Sequence, residues 1–103
     1  MSATTINEEY ERVANAPPAA KRLEFGCYCR LVISAVDDGE LTTQDGAYRV
    51  CGTAARVLDV LSASERELMT IAGNLELPET QRDHSLPDWE SFKKKVETLF
   101  PVE

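Results

Sequence analysis

The apolar positions fall into five groups, and each group has the spacing of one helix face. The longest run, from Phe25 to Val36, carries a single charge, Arg30. Wound as a helix, its side chains point almost all round: Leu23, Cys27 and Leu31 to one side, Phe25, Cys29, Val32 and Val36 to the other. A helix that is apolar on every side belongs in the middle of a bundle. A buried strand has the same periodicity here, since Phe25, Tyr28, Val32 and Ile33 suit one. The lead-in Pro18-Ala19-Ala20-Lys21-Arg22-Leu23-Glu24 is strongly helical, however, and no other run offers a partner strand. The pattern therefore predicts a central helix over 19–36, too short and interrupted to span a membrane.

The other four groups read as amphipathic helices around it. Ile6, Tyr10, Val13 and Ala14 make a stripe after a capping box at Thr5-Ile6-Asn7-Glu8, and Asn15-Ala16-Pro17-Pro18 ends it. Thr42 or Thr43 opens a third helix, with Val50, Ala54, Val57, Leu58 and Leu61 inward. Asp45, Arg49, Thr53, Arg56 and both glycines, Gly46 and Gly52, map to its wet side. Ser64 with Glu67 reads as a second capping box, starting a short helix through Leu68, Ile71, Ala72 and Leu75. Residues 79–86 read as an exposed loop with room for one helical turn. The last helix begins near Pro87-Asp88, and Trp89, Phe92, Val96, Leu99 and Phe100 share a stripe that Pro101 closes. The expected fold is all-α: residues 1–103 as one compact domain of about five helices.

Composition adds little to this, but the distribution of charge adds more. The net charge of −7 disfavours nucleic-acid binding, which needs a basic surface. Residues 1–36 and 46–75 are each balanced, whereas 37–45 hold four acids and no base, and 76–90 hold five acids and one base. The acidic excess thus lies in two segments between helices. Asp37, Asp38 and Glu40 gather at the end of the central helix, where negative charge opposes the helix dipole. Glu79 and Asp83 lie in the second segment. These five residues form a candidate surface for a basic partner protein, because complementary charge steers association. The class implied is a small non-enzymatic interaction module, of regulatory or immunity-inhibitor type. Ordinary turn chemistry, with Gly39 as a left-handed cap, explains Asp-Asp-Gly equally well.

Catalytic patterns are lacking. The lone histidine, His84, sits in a polar loop with no nucleophile at motif spacing. Cys27, Cys29 and Cys51 are odd in number and outside zinc-ligand spacing, which suggests reduced thiols in a cytoplasmic protein. The N-terminal residues show no basic stretch followed by an apolar run, so no signal peptide is expected. Aligning Gly39 with the glycine of an EF-hand puts Val36 at a ligand position, which rules that motif out.

One local resemblance bears on the acidic turn. The stretch from Leu31 to Asp45, an apolar helix running into Asp-Gly-Glu-Leu-Thr before an amphipathic helix, resembles the tellurite-resistance TerB-like helical domains. Leu61-Ser62-Ala63-Ser64-Glu65-Arg66 is a looser echo of the same pattern. The resemblance implies divalent-cation binding by carboxylates near helix ends, here Asp38, Glu40 and Asp45, although Asp45 stands where the family more often has Glu. Oxygen donors of this kind suit calcium, magnesium or manganese.

Overall fold

The computed structural model describes residues 3–101, with side chains from residue 5 onward. Five α-helices follow one another: α1 (Ala3–Asn15), α2 (Pro18–Asp37), α3 (Thr43–Arg56), α4 (Ala63–Leu75) and α5 (Trp89–Leu99). Single 3-10 turns at Leu58–Val60 and Glu79–Gln81 interrupt the last two long connections, and no strand occurs among the described residues. The all-α expectation holds.

Helix α2 is the centre, packing against α1, α3 and α5. Phe25, Gly26, Tyr28, Cys29, Val32 and Ala35 are buried. Its cover is incomplete: Leu23 is 61% exposed, so the apolar character all round reflects one bare strip as well as a central position. The helix starts as the prolines dictate. Pro17 is extended and Pro18 takes the first helical position, where a missing N–H costs nothing. It ends in a Schellman motif, with the Gly39 N–H on the Val36 carbonyl and the Glu40 N–H on that of Ala35. Gly39 has φ +81°, a conformation open to glycine at no steric cost.

Arginines close several of the other helix ends, whose last carbonyls have no partner within the helix. Arg30 donates to the Phe100 carbonyl at 2.6 Å, and Arg22 to that of Leu99. Arg66 grips the Leu58 carbonyl with two N–H groups, and Arg82 reaches those of Leu75 and Leu77. The Arg66 clamp helps to explain one departure from expectation. The third helix does not run on to Leu61 but stops at Arg56, tightening into a 3-10 turn whose first carbonyl Arg66 holds.

Two capping boxes were expected, and both shift. Thr5 lies inside α1 rather than at its start. Helix α4 is capped by Ser62 and Glu65 in reciprocal hydrogen bonds, not by Ser64 and Glu67. Both frames fit Ser-x-x-Glu; the one chosen buries Glu65 against Arg22 of α2.

The glycines divide in a way that periodicity alone does not reveal. Gly46, expected on the wet side, is buried where α3 crosses α2: a Cβ there would lie 2.7 Å from Val36 Cγ2. At Gly26 a Cβ would lie 2.6 Å from Phe100 Cδ1, so α5 seats its last aromatic on bare α2 backbone. Gly52 faces open space. Glycine-to-alanine changes in a helix interior normally stabilise by about 1 kcal/mol. Gly52→Ala should follow that rule, while Gly26→Ala should lose about 1–3 kcal/mol through overpacking. Urea denaturation of the two variants checks the contrast; equal effects would mean that Phe100 does not hold its position against α2.

Candidate functional site

The two acidic segments come together around the first turns of α5. The segment after α4 delivers the chain to Asp88, whose carboxylate caps α5 by accepting the Ser91 N–H at 2.9 Å. Trp89 then lies against α3 near Gly46, with 3.3 Å between its ring and the position of a Cβ there. One turn on, Lys93 donates to Asp37 at 3.1 Å, and its ammonium is 3.6 Å from Glu90. The bond to Asp37 holds the Lys93 ammonium above its ordinary pKa. Lys93 thus bridges Asp37 of one acidic segment and Glu90 of the other, and Asp37, Asp38, Glu40, Asp45, Asp88 and Glu90 are all exposed.

The predicted residues differ in what else they do. Asp37 forms an ion pair within its own chain. Asp38 is the C-cap of α2, and the Glu40 backbone completes the Schellman motif. Asp45 lies in the first turn of α3, its N–H on the Thr42 hydroxyl at 3.0 Å. Glu79 opens an exposed 3-10 turn. Asp83 organises the loop: its carboxylate accepts from the Ser85 hydroxyl and N–H, which hold its pKa below the usual range, and its backbone pairs twice with Asn74. Asp38, Glu40 and Asp45 do not form a cation cage. Among the described residues, no three Asp, Glu, His or Cys side chains gather closely enough to hold a metal ion.

Two of the three thiols, Cys29 and Cys51, are poorly suited to attack. Cys29 is fully buried and burial pushes its pKa far up; burial also raises Cys51, with Glu76 adding to the effect. All three cysteines are free, and of them only Cys29 is fully buried. His84 is exposed.

A second surface was not singled out by the sequence. A shallow groove of about 520 Å3 runs between α1 and α3, and all three tyrosines, Tyr10, Tyr28 and Tyr48, line it with Arg49 and Arg56. Tyr28 forms the buried floor, edge-on to Tyr10, while Tyr48 stands 69% exposed. The groove continues past Tyr48 and Arg49 toward Leu41, and past Tyr10 and Arg56 toward Lys21. Periodicity puts Arg49, Gly52 and Arg56 on one wet face of α3, and Tyr48 lies beside them. An exposed aromatic among those arginines was the available signal.

Against models of known protein families, curated proteins and solved structures, the chain finds no match. Among the described residues, no helix is long and apolar enough to cross a membrane.

Proposed function

We propose that this chain is a small non-enzymatic interaction module whose acidic end engages a basic partner protein, in the manner of a regulatory or inhibitory adaptor. The observation that carries the reading is that Lys93, in the first turns of α5, bridges Asp37 of one acidic segment and Glu90 of the other. Separated in sequence, they act as one negative surface against that helix. Such a surface raises the encounter rate with a positive partner and penalises a negative one. Asp37 and Asp83 serve mainly to hold the surface in shape, through Lys93 and Ser85. Asp38, Glu40 and Glu79 are the side chains that would face the partner.

The test neutralises those three together, as Asp38→Asn, Glu40→Gln and Glu79→Gln, leaving Asp37 and Asp83 in place. Immobilised wild-type protein should retain basic proteins from its own cells, with retention falling as salt is raised. The triple variant, folded by circular dichroism, should lose them. An identical retained set from both proteins would refute the proposal.

A further inference from the structure

We propose that the tyrosine–arginine groove between α1 and α3 is a second docking site, for an extended acidic segment of a partner protein. This does not depend on the acidic end, since the charge is of the opposite sign. The starting observation is how the arginines are used. Arg12 and Arg22 pair with carboxylates, and Arg22, Arg30, Arg66 and Arg82 clamp backbone carbonyls. Among the described residues, the Arg49 and Arg56 side chains do neither. Arg49 reaches the Asn7 side chain at 3.3 Å and the Tyr28 hydroxyl, and Arg56 lies over the Tyr10 ring at 6.0 Å. In a chain of net charge −7, these two cations line the groove's middle with a single acid, Glu76, and Asp45 borders its end toward Leu41.

The aromatics point the same way. Tyr48 is exposed where packing does not hold it, and Gly52 keeps the wall between Arg49 and Arg56 bare, with nothing within 4 Å of a Cβ. Tyrosine and arginine are the side chains enriched at interface hot spots, and tyrosine gives contact area at little entropic cost. The groove is too shallow to enclose a small molecule, but it has the form of a track for a peptide.

Its spacing constrains the occupant. Arg49 and Arg56 are seven residues apart on α3, about 10 Å along the axis. A polyproline-type segment advances about 3.1 Å per residue with three residues per turn, so acids at i and i+3 share a face about 9 Å apart. The segment should read acid-x-x-acid, with proline or an apolar residue between to lie on the tyrosines. Single-stranded RNA also stacks on tyrosines, but two arginines against a net charge of −7 do not neutralise a phosphate backbone.

The experiment pans the full chain against phage displaying short random peptides, then measures the enriched sequences as labelled peptides by fluorescence anisotropy. Acid-x-x-acid sequences should dominate. Their affinity should fall about tenfold or more in each of Arg49→Ala, Arg56→Ala and Tyr48→Ala. It should be unchanged in Lys94→Ala, which removes an exposed cation away from the groove. Enrichment without acidic character, no enrichment, or an acidic peptide indifferent to Arg49→Ala would each overturn the proposal. So would oligouridine binding of equal affinity, or self-association by sedimentation that Arg56→Ala abolishes, which would give the groove to RNA or to a second copy.

Discussion

Trp89→Ala is expected to destabilise the domain by about 3 kcal/mol, the low end of the range for truncating a large aromatic in a core. The side chain is only partly buried, which argues for the low end. Its contacts argue against less. The indole stacks on Phe92 at 5.1 Å between ring centroids and reaches the bare backbone at Gly46. It therefore pins the start of α5 to α3 immediately after a long exposed connection. A loss of this size removes a large share of a small domain's stability. The indole N–H supplies a second comparison, because it is buried with no acceptor among the described residues. An unsatisfied buried donor costs about 1–3 kcal/mol, so Trp89→Phe gives up ring area but sheds that penalty. Chemical denaturation should rank Trp89→Phe well above Trp89→Ala, within about 1 kcal/mol of wild type. If Trp89→Ala itself cost less than that, the residue would belong to a binding face and α5 would be anchored by Phe92 and Phe100 alone.

The apolar rhythm was enough to reveal five helices, the central place of α2 and the aromatic stripe of α5, because each depends on local spacing and on burial that any bundle would impose. Where the reading slipped, the deciding contact was between helices. Gly46 maps to the wet side of α3 by period, but a second helix arrives there and only a residue without a Cβ lets it approach. The two Ser-x-x-Glu frames at the start of α4 are equivalent locally, and Arg22, forty-three residues away, selects between them. The acidic segments were visible as composition. Their meeting beside α5 was not, since it depends on the order in which antiparallel helices return. The tyrosine–arginine groove was least visible of all: Tyr10, Tyr28 and Tyr48 come from three helices, and Tyr10 and Tyr28 read as members of apolar faces.

The same long-range contact carries the other large effect. Arg22→Ala should cost about 3 kcal/mol near neutral pH, because breaking a buried ion pair from one side strands the remaining charge. Glu65 is that charge, its side chain 3% exposed, while Arg22 is 39% exposed and loses less on its own account. The guanidinium also donates to the Leu99 carbonyl and lies 4.9 Å over the Phe100 ring, so it ties α2 to α4 and α5 together. Acidity separates the charge effect from lost packing. Burial pushes the Glu65 carboxyl up, but Arg22 and the Ser62 N–H outweigh it, and the pKa lies below the ordinary 4.5. A depressed pKa contributes stability that is present above 4.5 and is lost as pH falls through the folded-state value. Without Arg22, burial is opposed only by Ser62 and the Glu65 pKa rises, so the variant gains on the wild type as pH falls from neutral. Glu9, raised by its own burial and by the Glu24 carboxyl, also favours mild acid, but equally in both proteins, and cancels from the difference. The gap between wild type and Arg22→Ala should therefore narrow from about 3 kcal/mol near pH 7 as the pH is lowered to about 4, measured by urea denaturation at each. A gap unchanged by acid would assign the loss to packing on Phe100. A gap below about 1 kcal/mol at neutral pH would mean that Ser62 alone suffices to hold the buried carboxylate.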